Sequence, residues 1–300
     1  MAAPGQAIDA IAAMTASRQI WDWQSVYPAP AKLNLFLHVV GQRADGYHLL
    51  QTLFRFLDHG DRLHFAPRAD GAIHLATPLP GVPPESDLTL RAARLLQAAS
   101  ACRQGVDISI DKRLPMGGGL GGGSSDAATV LLALNHLWKL DLPRRQLQEI
   151  GLQLGADVPF FIFGRNAFAE GVGEALQAVE LPACGYLVLE PPLAVATAAI
   201  FGAPELKRDS LPIRAEQWHP GFGGNDLQTV VAARFPVIAE HLACLSAFAP
   251  ARMSGSGACV FAEFDSAEQA QAALRKIPAK LRGWVAAGLD EHPLRALASG

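Results

Sequence analysis

The segment Pro115–Ser125, reading Pro-Met-Gly-Gly-Gly-Leu-Gly-Gly-Gly-Ser-Ser, constrains this chain most, because its six glycines separate two patterns of different period. Before it, Val106, Ile108 and Ile110 alternate with polar residues as in a half-buried strand. After it, Val130, Leu134, Leu137 and Trp138 recur at helical spacing. Backbone without Cβ atoms reaches positive φ and approaches an anion closely, and a helix N-terminus offers it unpaired amides. The pattern therefore predicts a phosphate cradle between a strand and a helix, suited to a triphosphate, with Ser124 or Ser125 capping the helix. A flexible linker would lack the flanking periodicity.

The cradle matches none of the commonest nucleotide motifs. Gly118 and Gly123 have the Walker spacing, but Ser124 stands where that loop requires lysine. G-x-G-x-x-G through Gly117, Gly119 and Gly122 is nearly automatic in such a run. Asp141, the acid at dinucleotide-site distance, lies just beyond the helix rather than at the end of a second strand.

The 300 residues suffice for one large domain or two ordinary ones, and 50% hydrophobic content fills a packed core. A net charge of −3 without a basic run argues against nucleic-acid or membrane-surface partners and for small-molecule work. Cys102, Cys184, Cys244 and Cys259 are scattered, which suggests neither a disulfide framework nor a zinc site and fits a reducing cytoplasm. Residues 1–25 do not read as a signal peptide, and we expect a loosely held tail there, with the first ordered pattern near Tyr27.

From Ala31 the chain alternates: Leu33, Leu35, Leu37 and Val39 on one face, Lys32, Asn34, Phe36 and His38 on the other. This predicts a strand paired, across the turn 41–46, with the apolar run 49–57, and Tyr47 and His48 sit at the mouth of that hairpin. Short strands are expected at 62–66, 72–76 and 106–111, with a helix at 87–100. A further helix follows Pro143, with Gly155 as its stop and Asp157 on the connection. The second half reads as a strand at 186–189, a helix across 227–247 and a strand at 258–264. The turn Met253-Ser-Gly-Ser-Gly257 before that last strand either closes over phosphate or simply joins helix to strand. Strands and helices in clusters, without βαβ alternation, predict an α+β fold in two layers rather than a doubly wound sheet.

Three segments in order, Pro30-Ala-Lys-Leu-Asn34, Pro115–Ser125 and Ser254-Gly-Ser-Gly-Ala258, resemble the three motifs of the GHMP kinase superfamily. Arg43-Ala-Asp-Gly-Tyr-His48 and Leu154-Gly-Ala-Asp-Val-Pro-Phe160 narrow the resemblance to a branch whose acceptor alcohol carries a cytidine diphosphate. It covers nearly all of the chain from about residue 26.

The resemblance implies a two-domain kinase with mixed or antiparallel sheets and its active site between domains: a tail at 1–25, an ATP-binding domain at 26–168, and a substrate domain at 169–300 whose last residues pack back on the first. It implies transfer of the γ-phosphoryl of ATP, with Mg2+, to a hydroxyl of a small molecule, by a monomer or weak homodimer. Lys32 and Asp157 match the catalytic lysine and aspartate. Phosphates are placed on Pro115, Met116, Gly117, Gly118, Gly119, Leu120, Gly121, Gly122, Gly123, Ser124 and Ser125, with magnesium touching a loop serine. Adenine falls near Asp87, Leu88 and Lys112, and the cytidine diphosphate near Asn34, Tyr47, His48, Phe54, Thr197 and Phe201. Asp126 conflicts with a phosphate site: its carboxylate suits a helix start but repels phosphate unless a metal intervenes. A homoserine- or mevalonate-type alcohol kinase is the alternative within the fold. A non-catalytic nucleotide module sits poorly with both Lys32 and Asp157 being present.

Overall fold

The computed structural model describes residues 20–76 and 78–299. The chain begins with two long antiparallel strands, β1 (Tyr27–Gln42) and β2 (His48–Arg68), followed by β3 (Ile73–Leu75), α1 (Leu88–Ser100) and β4 (Gly105–Asp111). The strand expected at 62–66 is the far end of β2, which runs unbroken from the hairpin. β1 is buried on both faces, not one, and its pairing with β2 shifts register between Pro30 and Lys32, Asn34 and Leu37, and Val39 and Gly41. These irregularities turn successive side chains toward different neighbours. Leu33, Leu35 and Phe36 enter one apolar cluster, while Leu37 and Val39 enter another.

The central helix α2 (Gly122–Leu137) is buried continuously from Ser125 to Asn135, as an all-round apolar helix must be. Gly121, at φ 74, is its cap, and neither Ser124 nor Ser125 caps it with a side chain, contrary to expectation. The glycine run reaches into the first turn itself. Next come α3 (Arg144–Leu152), which ends before Gly155, and α4 (Val158–Phe163), with Asp157 at its start and Pro159 in its first turn. The hairpin β5 (Ala167–Glu170) and β6 (Ala175–Ala178) pairs with β2, so β5 spans the 168/169 division.

Then follow β7 (Gly185–Leu189), α5 (Thr197–Phe201), α6 (Asp226–Arg234), α7 (Pro236–Ser246), β8 (Ala251–Met253), β9 (Val260–Phe264), α8 (Ala267–Leu274) and β10 (Gly283–Leu289). The single helix expected at 227–247 is two, bent by 120°. Pro236 has no N–H to continue α6 but suits the first turn of α7. The Met253–Gly257 turn joins two paired strands, β8 and β9, rather than helix and strand.

The main path of the sheet runs β3-β4-β2-β10-β7-β9-β8, with β1 and β5 both paired to β2. It is antiparallel except for β3 with β4. β10 pairs with both β2 and β7 and so fastens the two halves together. One core lies where α1–α4 cover the first half, a second where α5–α8 cover the other, and a third between them around Phe36, Phe168 and Phe261. Leu294 and Ala298, near the end of the chain, belong to the first core.

The ordered pattern also starts earlier than Tyr27. Trp21 stacks on Tyr27 at 5.1 Å, and Trp21 and Trp23 pack against the first core. The rest of the expected tail, residues 1–19, lies outside the described residues. Among the described residues no single helix is long and apolar enough to cross a membrane.

Candidate active site

Lys32 sits on β1 with its side chain 4% exposed, an expensive place for a charge without partners. Its Nζ donates to Asn34 Oδ1 at 2.6 Å, lies 3.4 Å from Asp157 Oδ2, and stands 5.2 Å from the centre of the Phe54 ring. Asn34 is fixed in turn: its Nδ2 donates to Thr52 Oγ1 at 2.9 Å, which leaves its carbonyl oxygen facing the ammonium. Asp157 reaches this pair from the start of α4 and is a third exposed. A buried ammonium paired with an accessible carboxylate suits proton removal from an alcohol beside a developing negative charge.

The glycine loop is held against these residues on two sides. On one, Lys32 N donates to Leu120 O at 2.9 Å. On the other, Ala258 N and Cys259 N donate to Gly117 O and Gly118 O, and Ser254 Oγ donates to Gly119 O at 2.9 Å. Gly119 is tightest: a Cβ there would lie 2.0 Å from Ser254 O, and its φ is +74. The Met253–Gly257 turn is therefore a wall behind the loop, and Gly255 to Gly257 also face the open cleft.

Two cavities meet at the loop. The larger, about 910 Å3, contains Lys32, Asn34, Tyr47, His48, Phe54, Asp157, Thr197 and Phe201, so β1, the hairpin mouth, α4 and α5 all contribute. The smaller, about 370 Å3, contains Asp87, Leu88, Lys112 and the loop from Pro115 to Ser124. Gly117, Gly119, Gly121 and Ser124 border both.

Ser125 departs from expectation. It is fully buried, and its hydroxyl donates to Pro30 O at 2.7 Å, toward β1 and away from either cavity. Asp87 borders the smaller cavity, but its Oδ1 accepts from Thr89 N and Leu90 N and so caps α1. Lys112 is bound to two buried carboxylates, Asp61 and Asp126, with its Nζ 2.8 Å from Asp126 Oδ2. Asp126 borders the smaller cavity too, but its carboxylate is buried against Lys112, which offsets the charge a phosphate would meet. Burial first, and then the nearby Asp61 charge, push Asp126 up to about 7 against the pull of Lys112.

At the far end of the larger cavity, the His48 and Phe201 rings lie 5.0 Å apart, while Tyr47 is largely exposed. Burial, then the charge of Arg208, lower the His48 pKa. Thr197 Oγ1 and Ser256 Oγ are 2.7 Å apart, which links α5 to the β8–β9 turn. Sequence reasoning passed over Arg208 and Asp61, since each lies outside the motifs and acquires its partners only through the fold.

A glycine loop between two cavities, with a lysine–aspartate pair on the larger side, is the arrangement a small-molecule kinase requires. Family models agree: the GHMP kinases N terminal domain matches residues 87–165 and the GHMP kinases C terminal domain matches residues 208–283. A 4-diphosphocytidyl-2-C-methyl-D-erythritol kinase of Dechloromonas aromatica (strain RCB) is 66% identical over 90% of this chain and 98% of its own length. One from Thiobacillus denitrificans (strain ATCC 25259 / T1) is 58% identical over 89% of this chain and 96% of its own. A crystal structure of 4-(cytidine 5'-diphospho)-2C-methyl-D-erythritol kinase, 36% identical, superposes with a TM-score of 0.77 over 88% of this chain and 99% of the other. The chain belongs to the 4-diphosphocytidyl-2-C-methyl-D-erythritol kinase family and is an ATP-dependent kinase with the α+β GHMP fold.

Proposed function

We propose that this kinase transfers the γ-phosphoryl of ATP to the 2-hydroxyl of 4-diphosphocytidyl-2-C-methyl-D-erythritol, a step of non-mevalonate isoprenoid synthesis. The observation that carries this reading is the pair of cavities divided by the glycine loop, with Lys32 and Asp157 on the larger side. The smaller cavity takes the adenine and ribose, and loop amides from Met116 to Ser124 hold the phosphates. The larger, lined by aromatic rings and wide enough for a second nucleotide, takes the cytidine diphosphate.

Asp157 accepts the proton of the attacking hydroxyl. Lys32, steered by Asn34, neutralises charge on the phosphoryl in flight. Among the described residues no group of three or more acidic, histidine or cysteine side chains forms a metal cage. Magnesium carried mainly on phosphate oxygens would meet the protein at the hydroxyl of Ser124, which borders both cavities. When bound, the ion would offset the negative charge of the phosphates.

A coupled ADP-release assay with the cytidine diphosphate alcohol, homoserine and mevalonate tests this reading. Turnover with the cytidine compound alone is expected. Faster turnover with either of the others overturns the substrate assignment.

A further inference from the structure

Arg208 lies in the extended segment after α5, and each nitrogen of its guanidinium donates to a named acceptor. Nη2 donates to Phe201 O at 3.0 Å and Ala203 O at 2.7 Å, Nη1 to Leu206 O at 2.9 Å, and Nε to His48 Nε2 at 3.0 Å. A guanidinium has no lone pair to offer and does not deprotonate in proteins. The His48 nitrogen that meets it must therefore be the bare one, which puts the ring hydrogen on Nδ1. The same guanidinium holds the backbone of Phe201, whose ring lies against His48. One cation thus fixes the tautomer of the histidine and the place of its aromatic neighbour.

The consequence falls on base selection. Cytosine and uracil both accept hydrogen bonds at O2, so a ring donor aimed there does not distinguish them. At N3 they differ: cytosine accepts and uracil carries N–H. A histidine free to exchange tautomers adapts to either base, whereas one held as an Nδ1–H donor opposes the uracil N–H and leaves two donors unpaired.

We propose that Arg208 is a positioning residue for substrate selection, holding His48 as an Nδ1–H donor so that the pocket favours a cytidine over a uridine diphosphate alcohol. This rests on the cytidine reading above. Arg208 borders the larger cavity, but all three of its guanidinium nitrogens donate within the protein, so it acts through His48 and Phe201.

The test compares wild-type enzyme with Arg208→Met and Arg208→Lys. Long-range 1H–15N spectra of 15N-histidine-labelled protein, recorded without substrate, are expected to show His48 with Nδ1 protonated and Nε2 bare in wild type, and averaging between tautomers in Arg208→Met. Steady-state kinetics are expected to show the cytidine-over-uridine ratio of kcat/KM falling about ten-fold or more in Arg208→Met, with KM for ATP unchanged. Arg208→Lys keeps the charge but has a single donor nitrogen, and is expected to recover part of that ratio; it also serves if the methionine variant does not fold. Protonated Nε2 in wild type, or an unchanged base ratio in both variants, overturns the proposal. Wild-type enzyme that shows the expected tautomer but does not turn over the cytidine compound overturns the substrate reading, and selection by Arg208 falls with it.

Discussion

Asp157 meets Lys32 at 3.4 Å while a third of its side chain stays open to the larger cavity, so it is held in place yet reachable by a hydroxyl. Asp157→Asn keeps the size and removes proton acceptance. Turnover is expected to fall about 10²- to 10⁴-fold, with ATP affinity retained. Rapid-quench turnover beside nucleotide titration checks this, and near-normal turnover would remove Asp157 from the base role. Both residues are candidates that the sequence already marks, because each stands inside a motif. Ser125 was misread for a related reason: as a serine beside the loop it looked like a phosphate ligand, and only the fold shows its hydroxyl spent on Pro30 O.

At the scale of elements, the glycine loop serves two purposes that the sequence did not separate. From sequence alone, Gly119→Val is expected to lower nucleotide affinity more than stability. The fold adds a stability cost, since the new Cβ would meet Ser254 O at 2.0 Å and there is only backbone to give way. Gly123 separates the two effects. It lies in the first turn of α2, borders the smaller cavity, and its Cβ would meet only Leu88 Cδ1, at 3.5 Å. Gly123→Ala is expected to hold or raise the melting temperature, alanine being favoured over glycine in a helix by about 1 kcal/mol. ATP affinity should nonetheless fall. Calorimetric titration with melting curves for both variants decides, and unchanged ATP affinity in Gly123→Ala counts against the cradle. The split of the 227–247 helix, by contrast, was written in Pro236 and overlooked because apolar periodicity continues across it.

For the whole molecule, the end of the chain is tied to the elements behind the Lys32–Asp157 pair. Arg144 donates to Ile162 O, Arg295 O and Ala298 O, and His292 lies fully buried, edge-on to Phe56 at 5.6 Å. Burial, with help from the Arg144 charge, lowers His292 to about 3. Unfolded histidine takes up its proton below about 6.5, so the unfolded chain binds more protons between there and pH 3, and this group's stability contribution is lost as pH falls through that window. Asp126 has the opposite sign. Folded, it keeps its proton to about 7 and unfolded it releases it near 3.8, so its contribution is lost as pH rises between those values. Over their shared range the two slopes oppose. Melting temperature against pH is expected to tilt toward alkaline stability in Asp126→Asn and to lose its acid-side fall in His292→Asn. Profiles parallel to wild type would contradict both assignments.

The sequence alone carries the class of fold and marks the glycine loop, the lysine and the aspartate as candidates for the active site. Each is encoded locally, by glycines that permit a conformation, by alternation that makes a strand, or by a motif a few residues long. The tertiary structure decided what depends on partners far apart in the chain. Lys112 is held between Asp61, on β2, and Asp126, on α2. His48 is oriented by a guanidinium 160 positions away. The two halves become one sheet through β10, whose pairings with β2 and β7 span long separations. Such pairings leave no periodic trace in the sequence, because charge, hydrogen bonding and burial are settled only when the distant groups meet.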